Sequence, residues 1–355
     1  MAHTLKNAKI IRDEKAWEID IKAEIPAESL EKYREQTLKE FQKSAKFDGF
    51  RQGHAPIERI LQVYGESTVL KHAVEHAIQH ELPELLASEK TLIVESPRVT
   101  IESVESGKPV KFTARAALPP SIELPDYKAI ARKKNQEKEE ITVSDEEHKE
   151  AMTHLRRERA RMERMEAGLE PQKAHEESRA LKEEELPALD EAFVQSLGIE
   201  SVEKFSEGLR ANIKNEKELR AREKRRAEIL EELTKRSTIK YPAVLREYEL
   251  DDMEARLKAD LERIGQTFDS YLAQVKKTHE QIRAEWKDTG DKRAQVRLIL
   301  SEIARKENIE ADQEALEREV KHAQEHVPNA DPQALRAHIA HALRNEATLN
   351  WLEQQ

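Results

Sequence analysis

Two short stretches of this chain combine residue types and spacings that could do chemistry. The first is His72-Ala-Val-Glu75-His76. It fits H-x-x-E-H, in which two helical histidines bind zinc and the glutamate serves as general base. His80 adds a third histidine one turn further on. The same helix has Leu70, Val74 and Ile78 as its apolar stripe. At ~100° per residue the histidines fall about 200° from that stripe, on the solvent face. A solvated histidine stripe is the preferred reading. A zinc metallopeptidase is kept as the alternative; it predicts stoichiometric zinc and loss of turnover on Glu75→Gln. His322/His326 and His338/His341 read in the same way as the first stretch.

The second stretch is Gly49-Phe50-Arg51-Gln52-Gly53-His54-Ala55-Pro56. A phenylalanine beside an arginine, on a glycine-bounded loop between two helices, is suited to docking. Phe50 offers an apolar anchor, and Arg51 a planar fork for carboxylate or phosphate. Lys43, Lys46 and Arg59 outnumber Asp48 and Glu58, so the patch is basic within an acidic protein. The plainer reading is an interhelical turn with Phe50 tucked into the core.

Other chemistry has no foothold. There is no G-x-S-x-G, no Walker phosphate loop and no G-x-G-x-x-G. The 355 residues include no cysteine, which removes disulfides, thiolate nucleophiles and cysteine metal sites. No cofactor is implied. Charged residues make up 37% of the chain and the net charge is −10, which disfavours broad wrapping of nucleic acid. Lys214 to Arg226 is basic but of mixed sign and lacks aromatics, so it reads as a solvated helix face. The longest stretch free of Asp, Glu, Lys and Arg runs only from Ala192 to Ile199, whereas a spanning helix needs about 20 apolar residues. The charged N-terminus lacks the apolar centre of a signal peptide. No membrane partner is expected.

The elements that position these residues follow from periodicity. Residues 8–25 alternate as a strand or hairpin, 27–46 and 66–88 read as helices, and 91–103 with 108–118 form a second hairpin across Ser106-Gly107-Lys108-Pro109. This α+β unit ends near Pro119-Pro120. Half of residues 128–187 are charged, and no aromatic occurs between Tyr127 and Phe193, so this part reads as polar helices. Ser144-x-x-Glu147 is a capping-box start, and Gly168 with Pro171 a stop. Beyond 187 the pattern is helical: 201–236, a run opened by Pro242, another by Thr278-x-x-Gln281, and a last one opened by Asp331-Pro332.

The Gly49–Pro56 stretch resembles the ribosome-binding signature of the trigger factor family, G-F-R-x-G-x-x-P, which Gly49, Phe50, Arg51, Gly53 and Pro56 match. The resemblance continues through IERILQVYG, PPSIELPDYKAI (119–130), ELPALDEAFVQSLG (185–198) and RLILSEIARKENI (297–309). It implies an α+β ribosome-binding domain (1–118), an extended linker with charged helices (119–186), and an elongated, mainly α-helical body with arm-like projections (187–355). It implies a cytoplasmic, ATP-independent chaperone. The expected partners are the large ribosomal subunit near the exit tunnel, protein and rRNA, and nascent or unfolded chains. Docking would use Lys46, Gly49, Phe50, Arg51, Gln52, Gly53 and Pro56.

Two departures stand out. Many family members carry lysine after Phe-Arg, where this chain has Gln52; the lost cation is worth about 1 kcal/mol or less at an exposed contact. The FKBP-like prolyl isomerase domain usual in the family has no room between the linker and ELPALDEAF. The expectation is therefore a chaperone without isomerase activity, and no enzyme. Phe268, Tyr271, Leu272, Trp286 and Trp351 are candidate client-lining residues, with helix-packing core as the competing reading. A ribosome-free holdase or assembly chaperone is the main rival, and a homodimer of the free protein stays open.

Overall fold

The computed structural model describes residues 3–44, 50–137, 140–327 and 330–355. The chain opens with an antiparallel hairpin, β1 (Lys6–Asp13) and β2 (Glu18–Ile25), followed by helices α1 (Ala27–Ser44), α2 (Ile57–Tyr64) and α3 (Glu66–Ser88). It returns through β3 (Arg98–Ile101) and β4 (Val110–Ala117) to a four-stranded sheet of order β1-β2-β4-β3. Strict alternation buries Ile19, Ile21, Ala23 and Ile25 of β2, and Val110, Phe112, Ala114 and Ala116 of β4, on one face. Ala73, Val74, Ala77, Leu82 and Leu85 of α3 complete that core. The core cluster of this α+β part is drawn wholly from residues 5–118.

The chain then becomes helical: α4 (Tyr127–Gln136), α5 (Asp145–Glu166), α6 (Pro171–Ala180), a short 3-10 turn (Glu183–Glu185), α7 (Glu191–Ser196) and α8 (Val202–Arg236). The Ser144/Glu147 capping box is formed in both directions. At the other end of α5, Gly168 adopts φ +93°, Leu169 N–H donates to Arg164 O and Gly168 N–H to Met165 O, a complete Schellman stop. This stop turns the chain back so that α6 packs on α5. Arg156 then braces the return, its guanidinium donating to the carbonyls of Pro187, Glu183 and Leu186. Arg159 donates to the Ala188 carbonyl and stacks over Phe193 at 4.5 Å.

A third segment comprises β6 (Thr238–Lys240), α9 (Ala243–Arg263), α10 (Phe268–Val275) and α11 (His279–Glu307). β6 pairs antiparallel with β5 (Ser121–Glu123), a link between residues far apart in sequence that no local pattern announces. α9 and α11 lie close because Gly290 presents no side chain; a Cβ there would come within 2.9 Å of Leu250 Cδ2. The chain closes with α12 (Gln313–His326) and α13 (Pro332–Glu353), the latter capped by Asp331 as its sequence suggests.

Two compact units result, each drawn from separate stretches of chain. One comprises Met1–Pro125 and Arg236–Asn308, the other Asp126–Lys235 and Ile309–Gln355. In the second unit most of the basic run on α8 is exposed, as expected, but two of its arginines are drawn into ion pairs with α13. Arg222 and Arg226 reach Glu353 of α13 at 2.7 and 2.9 Å, and Arg226 also holds Glu346 at 2.8 Å. The fold class is nonetheless the one expected, a small α+β domain followed by a mainly helical body.

Candidate functional site

Residues 50–56, which lead into α2, are tied to α1 by two side-chain hydrogen bonds. Gln42 Nε2 donates to the Ala55 carbonyl at 2.6 Å, and Gln52 Nε2 donates to the Lys43 carbonyl at 3.0 Å. Gly53 takes φ +86°, a left-handed turn for which glycine is suited, and His54 N–H closes it onto the Arg51 carbonyl. Beneath the loop, Leu38, Ile60 and Val69 form a small core flanked by Phe41 and Tyr64, whose rings lie 4.6 Å apart.

Phe50 is 42% exposed, so it is not tucked into that core. Arg51 is exposed, and among the described residues no carboxylate is paired with it. Pro56 takes the N-cap position of α2: its carbonyl accepts from the Arg59 and Ile60 N–H groups. Lys46 and Gly49 lie outside the described residues. Sequence reasoning missed Ile57 and Val63, which the structure leaves exposed on α2 just after the tip. Helical phase sets Val63 off the inward face of Ile60, Leu61 and Tyr64, but it sets Ile57 on that face, so the exposure of Ile57 carries no sequence signal.

The histidine stripe on α3 is only partly solvated: His80 is exposed as its phase suggests, whereas His72 and His76 are half-buried. It lines the seam with α1. His72 meets Phe41 edge-on at 5.3 Å, His76 Nδ1 lies 3.4 Å from Thr37 Oγ1 and 3.5 Å from Glu40, and His80 lies beside Tyr33. The apolar stripe covers the sheet while α1 covers the flank, which is why two faces of α3 are engaged. Glu75 contacts His72 at 3.3 Å. Among the described residues no group of three or more His, Cys, Asp or Glu is placed to hold a metal ion.

Of the five candidate client residues, Phe268, Tyr271 and Leu272 stand together on α10, which has no fully buried residue. The Phe268 ring is braced by Tyr271 at 6.5 Å, by His279 edge-on at 6.0 Å and by Lys258 Nζ at 5.0 Å. Trp286 is half-buried on α11. Ile264, 72% exposed, precedes α10 and Val275 ends it, and both extend its apolar surface; both were missed because a single apolar residue at a helix end carries no periodic signal. Behind α10, α9 and α11 are joined by Arg283, which holds Asp251, Glu247 and Glu254 at 2.7, 3.0 and 3.1 Å. Burial would push the Glu254 carboxyl up, but hydrogen bonds from Lys258, His279 and Arg283 outweigh it and hold it at about 2. Trp351 belongs to the other compact unit, where it packs 6.2 Å from Tyr127 and under Lys128 of α4.

Comparisons with known proteins bear on this geometry. Residues 8–155 match the family model described as bacterial trigger factor protein (TF), and residues 201–351 match that of the bacterial trigger factor protein (TF) C-terminus. The trigger factor of Caldicellulosiruptor bescii is 25% identical, the match covering 84% of each chain. That of Caldicellulosiruptor saccharolyticus is 26% identical over 82% of each. That of Bacillus pumilus is 22% identical over 84% of this chain and 86% of the relative. A solved structure described for promiscuous substrate recognition in folding and assembly activities of the trigger factor chaperone shares the fold. It matches with a TM-score of 0.53 and 15% identity, covering 99% of this chain and 100% of that one. No helix of the described residues is long and apolar enough to cross a membrane. With one family matched in both halves, and its signature loop presented between α1 and α2, the chain belongs to the bacterial trigger factor family.

Proposed function

We propose that this trigger factor family chaperone docks at the exit site of the large ribosomal subunit through the 50–56 tip and shields nascent or unfolded chains without ATP. The observation that carries the docking half is the pairing of an exposed Phe50 with Arg51 on a loop whose base is fastened by Gln42 and Gln52. A fixed loop presenting one apolar ring and one planar cation loses little entropy on binding and fits a surface of protein and phosphate. The reading puts the place of action in the cytoplasm, where ribosomes are.

The client half rests on α10 and its flanks. Phe268, Tyr271, Leu272, Trp286, Ile264 and Val275 offer dispersed, half-covered apolar groups. Such groups bind weakly and multivalently, which suits clients of no fixed sequence. Trp351 contributes by packing α13 on α4 rather than by lining a client surface. Residues 1–118 serve docking, 119–186 connect, and the helical remainder holds clients.

The protein acts without prolyl isomerase activity. The stretch between the two family matches, 156–200, is occupied by the second half of α5, α6, the 3-10 turn and α7, and among the described residues no strand lies between β5 and β6. This helical occupation of the stretch supports the reading.

Co-sedimentation with bacterial ribosomes across a salt series tests the docking half. The native protein is expected in the ribosome pellet and the Phe50→Ala/Arg51→Ala variant in the supernatant, with unchanged thermal midpoints. No pelleting of either at low salt would move the reading to a ribosome-free chaperone. In a proline-peptide assay the expected isomerisation rate equals the uncatalysed one; a clear acceleration would sink the isomerase statement.

A further inference from the structure

Three helices carry histidines three or four residues apart, and their surroundings set one pair aside from the others. On α3, His72 Nδ1 faces Glu75, and His76 Nδ1 faces Thr37 and Glu40, so these imidazoles are already engaged. On α13, His338 and His341 are three residues apart, and His341 Nδ1 lies 3.2 Å from the Asn345 amide. On α12, His322 and His326 are both exposed, and among the described residues neither ring nitrogen has a hydrogen-bond or ion-pair partner. Their rings meet edge to face with centres 4.8 Å apart.

That separation is the one a shared metal ion requires. An imidazole nitrogen binds zinc at about 2.0–2.1 Å, and its ring centre lies about 1.1 Å behind it, so each ring centre stands about 3.2 Å from the ion. Two rings at an angle of about 90–109° on one ion then have centres about 4.5–5.2 Å apart. The helix supplies the pairing, since positions four apart stand one above the other on one face. Among the described residues no third histidine, aspartate or glutamate stands with the two to close a site. Their exposure leaves the remaining positions of an ion to water, the open arrangement of an exchangeable site. The ligand type selects the occupant. Imidazoles suit zinc, nickel and copper, whereas magnesium and calcium take oxygen. Neighbouring charges do not decide it, because Glu319 and Glu325 offset Arg318 and Lys321.

We infer that His322 and His326 together bind one divalent ion of the zinc, nickel and copper class, with water in its other positions. Both rings reach one ion only while residues 322–326 are helical, so the ion ties down the last turn of α12, which ends at His326. The site is separate from ribosome docking and from client binding, and it is a binding site without assigned catalysis.

The test is isothermal titration calorimetry of the full chain with zinc chloride and nickel chloride, in a buffer that does not bind metal. Both ions are expected to bind, and magnesium and calcium to give no heat at this site. His322→Ala and His326→Ala should each weaken zinc binding about tenfold or more, because half of the chelate is lost. Both positions are exposed, so the thermal midpoints of these variants without metal should equal that of the native chain. His72→Ala/His76→Ala should leave zinc affinity unchanged. A further variant keeps two histidines but moves them off one face. Gln324→His/His326→Gln sets the rings about 200° apart and should bind zinc no better than a single-histidine variant. In nitrogen-15 spectra of labelled histidine, zinc should move the ring signals of His322 and His326 together and before any other. Native-strength zinc binding by the Gln324→His/His326→Gln variant, or by either single variant, would overturn the proposal. So would zinc binding that only His72→Ala/His76→Ala removes, or no binding of zinc or nickel by the native chain.

Discussion

Gln52 shows how one residue can be misjudged by charge alone. As a replacement for a family lysine it removes a cation from the docking tip, but its amide also secures the last turn of α1 by donating to the Lys43 carbonyl. The two roles separate by mutation. Gln52→Lys should raise ribosome affinity by up to about fivefold at low salt, a gain that fades as salt rises, because the added cation is exposed. Gln52→Ala should lower affinity at every salt concentration, because the loop loses its fastening. Pelleting titrations at two ionic strengths distinguish the effects. A second residue-scale case is Glu353. Burial would push its carboxyl up, but hydrogen bonds from Arg222 and Arg226 outweigh that and hold it at about 2, against an ordinary value of 4.5. The folded form is the better acid, so the stabilisation is complete above about 4.5 and is lost as pH falls toward 2. Glu353→Gln should therefore lower stability at pH 7 by about 1–3 kcal/mol, and the deficit should shrink as the pH is brought from 5 to 3. Urea unfolding of both proteins at those pH values checks it; an undiminished deficit at pH 3 would contradict the assignment.

At the scale of elements, what was legible had a local physical signature. The capping boxes at Ser144 and Thr278, the Gly168 stop and the Asp331-Pro332 start are set by a few neighbouring residues, and each is realised. What was not legible depends on partners distant in sequence. β5 finds β6 across more than a hundred residues, α1 takes the histidine face of α3, and α13 takes the arginines of α8. The signature loop was legible as a motif, whereas its fastening by Gln42 and the exposure of its neighbour Ile57 needed the packing of α2. The contact of α9 with α11 belongs to the second kind. Gly290 reads as an ordinary weak point in a helix until Leu250 and Arg246 are seen against it. Gly290→Val should force these helices apart and cost about 1–3 kcal/mol, despite valine's better helix propensity. Circular dichroism during thermal unfolding should show an earlier loss of helix, and aggregation suppression should fall with it. A variant of native stability would mean that the Leu250 side chain swings aside freely.

At the scale of the molecule, chain order and compact units do not coincide. The chain crosses between its two units after Pro125, after Lys235 and after Asn308, so neither unit can be cut out as one continuous piece. Within the first unit, however, the two chain segments differ in what they need from each other. The large core of the α+β part draws only on residues 5–118, and its links to the later segment are polar or peripheral: the short β5–β6 ladder, Tyr248 to Glu95, and Lys240 to Glu14. A domain of this size with one continuous core folds alone. We therefore expect the fragment 1–118 to unfold cooperatively and to retain ribosome docking, while the full chain unfolds in more than one step. Trp17 is the sole tryptophan of the fragment, its Nε1 donating to the Pro119 carbonyl, so it reports on this part. In a Trp286→Phe/Trp351→Phe background its fluorescence isolates the α+β transition within the intact protein. The denaturant midpoint read from Trp17 should then match that of the fragment once the fragment is extended to Pro125, which restores the bond to Pro119. A fragment that is unfolded at zero denaturant would show instead that the peripheral contacts of β6 and α9 are required, and that the docking domain gains its stability from residues that arrive late in the chain.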